Sequence, residues 1–291
     1  MRVLLTGAAG MLGMQLIIKL LSRNHHIIPT DYKGLHNVIN VDICNSEQVF
    51  AIFEKTSPDF VIHTAALTDI DKCTLEPDLA YRVNVQGTWN VAAAAARHDV
   101  PIVFISTDNV FDGMKNGPYT EYDRPNPLNT YGQSKLAAEY HIRNLTRKYF
   151  IIRTSWLFSE KGKNMPLFIL DTAMKQHNIH IAADQIASPT YAKDLAEFIA
   201  DLPDNYLYGT YHFTNKGSCS WYELAKDILS LAGISGVTVT PVASNEYKSP
   251  TRKPRASVLR HYNLEMQNKD NIRHYKDALK EFISEWITAK Q

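Results

Sequence analysis

Three glycines in seven residues, Gly7-Ala-Ala-Gly10-Met-Leu-Gly13, stand between the apolar run Val3-Leu-Leu-Thr6 and the stretch Gln15-Leu-Ile-Ile-Lys-Leu-Leu21. A short apolar run ending in glycine has the form of a buried parallel strand. The stretch that follows has the spacing of an amphipathic helix. Strand, glycine turn and helix together form the context in which glycines bind a dinucleotide. Gly7 would make the tight turn, Gly10 would let a pyrophosphate approach the backbone, and Gly13 would let helix and strand pack closely. The helix N-terminus at Met11 and Leu12 would then face the phosphates. The spacing is G-x-x-G-x-x-G, not G-x-G-x-x-G, and a purely structural loop is the competing reading.

The unit repeats along the first half. His26-Ile-Ile-Pro-Thr30 reads as a second strand ending at Asp31, about twenty residues past the glycines, where an acidic side chain holds ribose hydroxyls. Lys33, two residues on, could instead meet a 2′-phosphate, so NADH and NADPH both stay open. A third, weak strand precedes Asp42 and Ile43, with Asp42 placed to bond adenine. Phe60 to Thr64 is a fourth strand running into Ala65, Ala66 and Leu67, small residues against which a cofactor can lie. Leu79 to Asp99 reads as one long helix, with Asn84 polar on its buried side. Pro101 to Ser106 is a fifth strand that delivers Thr107 and Asp108 at its C-terminal end, where ligands of open α/β sheets bind. A polar loop over 112–129 leads into a helix capped by Asn129 or Thr130. That helix carries Tyr131 and Lys135, one turn apart on one face. An ammonium beside a phenol favours the phenolate, lowering a pKa that is ordinarily about 10. Phe150 to Arg153 is a sixth strand. Such regular alternation predicts an α/β fold with a doubly wound parallel sheet of Rossmann type.

Beyond Thr154 the alternation fades. Helices are expected over 166–177, 191–202, 220–233 with Ser220 as cap, and 271–290, and Gly209 to Phe213 reads as one more strand of the main sheet. Residues 237–259 are irregular and basic. The expected organisation is a cofactor domain over 1–154 plus about 190–215, and a smaller substrate lobe over 155–189 and 216–291. A net charge of +1 supplies no global attraction for nucleic acid or a membrane surface, and no apolar run reaches membrane-spanning length. Cys44, Cys73 and Cys219 are too far apart to read as a disulfide framework or a metal knuckle. Met1 runs directly into a strand without room for a signal peptide, so a soluble cytoplasmic protein is expected.

Thr6-Gly7-x-x-Gly10-x-x-Gly13, the strand end Ser106-Thr107-Asp108 and Tyr131-x-x-x-Lys135 together resemble the extended short-chain dehydrogenase/reductase superfamily. Four further stretches, Ser106-Thr-Asp-Asn-Val-Phe-Asp-Gly113, Arg153-Thr-Ser-Trp156-Leu-Phe, Asp184-Gln-x-x-x-Pro189-Thr and Lys253-Pro-x-x-Ser257-x-Leu259, narrow this. They resemble the dTDP-4-dehydrorhamnose reductase family, over about residues 1–290. Asn109 departs from the Tyr common at its position, and Lys253 from the usual Arg before Pro254.

The resemblance implies NAD(P)H-dependent reduction of dTDP-4-dehydro-L-rhamnose to dTDP-L-rhamnose, in nucleotide-sugar and cell-surface polysaccharide biosynthesis. Tyr131 would protonate O4 as general acid. Lys135 would lower the Tyr pKa and bind the nicotinamide ribose, and Thr107 would steady the developing oxyanion. Trp156 would pack on the sugar, Asp108 would be a further substrate contact, and Arg252 and Arg255 would hold the diphosphate. A core Trp is the competing reading for Trp156, and a solvated basic loop for Arg252 and Arg255. Some members resemble homodimers with a divalent metal such as Mg2+ at the interface, although no carboxylate cluster here demands one and no metal ligand is assigned. Two rivals remain. A 4,6-dehydratase or 4-epimerase of the same superfamily is one, but dehydratases carry Thr-Asp-Glu where this chain has Asn109, and epimerases usually place Ser-Ser or Ser-Thr there. The other is a non-catalytic, NADP-binding subunit similar to the methionine adenosyltransferase regulatory subunit, which an intact Thr107, Tyr131 and Lys135 argue against.

Overall fold

The structure is a computed structural model that describes residues 1–34 and 36–289. Along the first half, β1 (Arg2–Thr6), α1 (Met11–Ser22), β2 (His26–Asp31), β3 (Ile39–Asn40), α2 (Ser46–Thr56), β4 (Phe60–His63), α3 (Thr88–Arg97), β5 (Ile102–Thr107), α4 (Thr130–Leu145) and β6 (Tyr149–Thr154) follow one another. The second half adds α5 (Met165–Ala173), β7 (Asn178–Ala182), α6 (Ala192–Asn205), β8 (Gly209–His212), α7 (Trp221–Leu231), β9 (Thr238–Val242) and α8 (Tyr275–Thr288).

Seven strands form one parallel sheet in the order β8-β6-β5-β4-β1-β2-β3. The apolar runs are continuous because both faces of the sheet are covered. Val3 and Leu5 of β1 pack in one cluster with Leu16 and Leu20 of α1 and Ile199 and Leu202 of α6. Leu4, between them, belongs to the opposite cluster with Phe53 of α2, Val91 and Ala95 of α3, and Ala138 and Ile142 of α4. Each such side chain, fully buried, contributes roughly 1.5–3 kcal/mol. The strand order reverses at β1, flanked by β2 and β4, and such a switch point opens a crevice at the strands' C-terminal ends. As expected, Gly209–His212 returns to this sheet, paired with β6. A further cluster gathers Phe158, Ile169, Tyr191, Leu224, Ile228, Leu279 and Phe282.

Three elements differ from the sequence expectation. The helix expected over 79–99 is a short α-helix, Pro77–Tyr81, then a π-helical turn, Arg82–Gly87, then α3. Gly87 sits in close contact with the Ile43 side chain, whose Cδ1 would stand 2.7 Å from a Cβ there. The helix expected over 166–177 stops at Ala173, and the chain enters β7, which pairs in parallel with β9 inside the stretch taken as irregular. β9 is half-exposed and carries Pro241, tolerable only on an edge, so it lacks the apolar pattern of a core strand. The last helix spans Tyr275–Thr288; the expected end at Lys290 lies outside the described residues.

Glu139 of α4 is fully buried and accepts two hydrogen bonds from the buried Arg153 of β6, Nε to Oε1 at 2.9 Å and Nη2 to Oε2 at 2.7 Å. Ser106 Oγ of β5 donates to Oε1 at 2.6 Å, and Arg143 donates to Oε2 at 2.9 Å. Burial pushes the Glu139 carboxyl up, but the Arg153 guanidinium beside it outweighs that and holds it below its ordinary value. The Glu139→Gln substitution leaves Arg153 buried beside a neutral amide. It is expected to cost about 3–5 kcal/mol of unfolding free energy, read as a lowered urea midpoint with an unchanged m value.

Candidate active site

A cleft of about 2110 Å³ runs along the C-terminal ends of β1, β4 and β5. Its floor is set by the glycines. Gly7 has φ +71°, and a Cβ there would stand 2.6 Å from Ala65 N; at Gly13 it would stand 2.3 Å from Gly7 O. A Cβ on Gly10 would meet only Gly7 O, at 3.1 Å, and otherwise open space. Gly10 therefore presents bare backbone to the cleft at the start of α1, which fits the approach of a dinucleotide pyrophosphate. Met11, Leu12 and Gly13 line the same end.

Asp31 Oδ2 accepts from Ala9 N at 3.2 Å and Oδ1 from Lys33 N at 3.1 Å, tying the end of β2 to the glycine turn. Asp31, Lys33, Asp42 and Ile43 share this wall. Ala65, Ala66 and Leu67 form the wall beyond β4. Leu67 is fixed by Asn84, whose Oδ1 accepts from Leu67 N at 2.8 Å and whose Nδ2 lies 3.1 Å from Leu67 O and 3.0 Å from Ser134 Oγ. Asn84 is thus a satisfied structural residue within the π turn. His63, which sequence reasoning treated only as strand, is wholly buried between Thr6 Oγ1 and Thr88 Oγ1, at 2.6 and 3.0 Å. Burial pushes its pKa down to about 3, so it stays neutral beneath the turn.

Asn129 caps α4, its Oδ1 accepting from Gly132 N at 2.9 Å. A Cβ on Gly132 would stand 2.0 Å from Asn109 O, so only glycine lets the start of α4 press against the strand end bearing Thr107. The signal was present in the sequence as the Gly after Tyr131. Thr107 Oγ1 donates to Asp108 Oδ1 at 3.1 Å and accepts from Asn109 N at 3.1 Å. Of all the residues expected to contact ligand, only Lys135 does not line the cleft. It is 3% exposed, with Nζ 4.0 Å from the centroid of Phe104. Burial pushes the Tyr131 phenol up, only partly offset by its hydrogen bond with Thr107. That is opposite to the lowering expected from Lys135, and it occurs because the phenolate would lose its water. For the same reason burial pushes the Lys135 ammonium down to about 7.

Across the cleft, Trp156 stacks on Trp221 with ring centroids 3.4 Å apart and planes 9° from parallel. Trp156 holds φ +45°, a left-handed conformation that costs a bulky residue about 1–3 kcal/mol. Trp221, the first residue of α7, lines the cleft and was not singled out from sequence. Arg252, Lys253 and Arg255 line the opposite rim.

A family model described as the RmlD substrate binding domain matches residues 1–287. The chain belongs to this family. It is 37% identical to the spore coat polysaccharide biosynthesis protein SpsK of Bacillus subtilis, over 99% of each chain. A dTDP-4-dehydrorhamnose reductase from Clostridium acetobutylicum superposes with TM-score 0.93 at 41% identity, covering 98% of this chain and 99% of that one. The Bacillus anthracis dTDP-4-dehydrorhamnose reductase, solved in complex with NADP, gives TM-score 0.91 at 40% identity over 98% and 99%.

Among the described residues of this RmlD-family chain, no cluster of three or more His, Cys, Asp or Glu could hold a metal ion, so the Mg2+ expectation finds no ligand set there. No helix among them is long and apolar enough to cross a membrane. The buried Lys135 gives a sign-defined pH effect. Its pKa is about 7 in the folded protein against 10.5 for a lysine side chain in water, so between those values the unfolded chain binds the extra proton and folding stability rises with pH. The cost of burying its charge is fully present below about pH 7. Relative to Lys135→Met, the wild type should gain on the order of 1 kcal/mol per pH unit across that window, measured by urea unfolding at pH 6.5 and pH 9.

Proposed function

We propose that this protein reduces the 4-keto group of dTDP-4-dehydro-L-rhamnose, with NADPH or NADH as the hydride donor, to give dTDP-L-rhamnose. The observation that carries the proposal is the convergence, in one cleft, of the bare glycine turn with Thr107 and Tyr131. The glycine turn and the wall beyond β4 would hold the nicotinamide cofactor, which would supply the hydride to C4. Tyr131 enters the reaction protonated, because burial raises its pKa, and gives its Oη proton to O4. Thr107 Oγ1 hydrogen-bonds the same oxygen as charge develops on it. Lys135 steadies the tyrosine from beneath, and would hold the nicotinamide ribose only by turning its side chain from Phe104 into the cleft, which it does not line. Asp31, Asp42 and Ile43 hold the adenosine end, and Ala65, Ala66 and Leu67 give the ring a flat wall. Arg252 and Arg255 take the diphosphate, for which guanidinium geometry is suited. Trp156, backed by Trp221, faces the sugar.

The same proposal assigns residues 1–154 and about 190–215 to the cofactor and residues 155–189 and 216–291 to the sugar nucleotide, in a cytoplasmic enzyme. Asn109 weighs against a dehydratase. Its Nδ2 donates to Asp108 Oδ1 at 3.1 Å and its Oδ1 accepts from Asn129 at 3.1 Å. An amide so held exchanges no proton with substrate.

Absorbance at 340 nm tests the proposal, with purified protein, NADPH or NADH, and keto-sugar generated in the cuvette. Oxidation is expected, and Tyr131→Phe should lower kcat by about 10²–10⁴-fold while leaving cofactor affinity within a few-fold. Cofactor binding without oxidation would favour another keto-sugar or a non-catalytic subunit, and failure to bind either cofactor would sink the proposal.

A further inference from the structure

The segment bearing Arg252, Lys253 and Arg255 is fastened to the first half of the chain at several points. Ser249 Oγ donates to Asp71 Oδ1 at 2.8 Å, and Asn129 Nδ2 donates to Arg252 O at 2.9 Å. Gly113, at φ +72°, comes so close that a Cβ would stand 2.7 Å from Arg255 N. The last fastening is of another kind. Ser257 Oγ donates to Asp108 Oδ2 at 2.5 Å, with both residues 3% exposed. The other carboxylate oxygen of Asp108 accepts from Thr107 Oγ1 and Asn109 Nδ2, each at 3.1 Å. Asp108 thus has both oxygens engaged by neighbours within the protein, and one of those neighbours is the hydroxyl assigned to the substrate carbonyl.

We propose that Ser257 and Asp108 are positioning residues: by occupying Asp108, Ser257 sets how strongly that carboxylate holds the Thr107 hydroxyl, and so links the diphosphate-binding segment to the catalytic strand end. The inference rests on the reductase proposal above. A hydroxyl has one proton, and an ionised carboxylate only accepts. While Asp108 takes the Thr107 proton, Thr107 can donate to a sugar oxygen only by turning away from it. The Ser257 bond satisfies Oδ2 and shares the charge that holds Thr107. Without it Oδ2 is left buried and unpaired, and Asp108 becomes a better proton acceptor. It then grips Thr107 harder and takes up a proton at higher pH. Burial already raises the Asp108 pKa, and the Ser257 hydrogen bond is the first of the contacts that oppose this. The charged or titratable groups sharing this wall are Tyr131 from α4, Arg252, Lys253 and Arg255 from the segment, and Asp112 from the loop after β5.

The test compares wild type, Ser257→Ala and Ser257→Thr by kcat, KM and pH profile, with Ser257→Ala repeated in a Thr107→Val background. A 13C NMR titration of the Asp108 carboxyl is run on the same proteins without ligand. Ser257→Ala should lower kcat by about 10–100-fold, leave NADPH affinity unchanged, and move both the acid limb and the Asp108 titration to higher pH. Ser257→Thr should restore all three, and in the Thr107→Val background the alanine change should cost less than about twofold, because the effect passes through Thr107. An unmoved Asp108 titration in Ser257→Ala, or an equal loss with and without Thr107, overturns the inference. A wild-type protein that binds NADPH but shows no turnover, while Asp108 titrates as expected, overturns instead the reductase proposal on which the catalytic consequence depends.

Discussion

Glu139, a carboxylate with no exposed surface, is the point where β5, β6 and α4 are tied together. Burying an ion pair is a poor route to stability, since desolvation consumes most of the attraction. Its value lies in geometry. Tyr131, Lys135, Glu139 and Arg143 are spaced four apart and form one stripe of α4. Along that stripe Lys135 lies over Phe104 of β5, Glu139 meets Ser106 and Arg153, and Arg143 reaches Thr210 of β8 at 3.1 Å. A rotation or one-residue slip of α4 would strand Glu139 away from Arg153. The pair therefore fixes the helix register that points Tyr131 into the cleft, one residue beyond the strand position, Ser106, that Glu139 also holds.

The glycines impose a matching constraint from the other side. Gly13 and Gly132 each remove a Cβ that would overlap a carbonyl oxygen, Gly7 O and Asn109 O respectively. One brings α1 down onto the turn; the other brings α4 onto the end of β5. The cleft is thus shaped by two helix N-termini pressed against strand ends, with His63 neutral and fully bonded beneath the first of them.

Much of this was legible in the sequence for a physical reason. Strands covered on both faces must be apolar throughout, and helices facing a sheet must be striped, so the doubly wound core showed itself as pattern. Residues at strand ends and first helical turns, such as Thr107 and Tyr131, were legible as candidates to line the cleft because the topology points them there. What escaped lacked such a pattern. The π turn keeps helical periodicity on either side of it, so Arg82–Gly87 read as plain helix. β7 and β9 form an edge pair whose partner lies sixty residues away, with Thr and Pro in place of an apolar run. Trp221 sits at the start of an ordinary capped helix, and its importance comes only from the Trp156 ring stacked on it. Asp108 lines the cleft at its strand end, as its position suggested, but its three donors within the protein are distant in sequence or too local to form a motif.

The least legible property was electrostatic. A Tyr and a Lys one turn apart suggest a phenol made acidic by its neighbour, yet burial raises the tyrosine and lowers the lysine, so both charged forms are disfavoured before reaction. The two effects serve one end. A proton-loaded Tyr131 is the form a general acid needs. In the proposed reduction, a Tyr131 that has given its proton to substrate becomes a phenolate one turn from Lys135, and that negative charge would favour uptake of a solvent proton by the lysine. Low dielectric makes the attraction between the two charges stronger than it would be in water. On that proposal the charged state of the pair is costly until proton transfer creates it, and the buried Glu139 four residues further along favours the Lys135 ammonium.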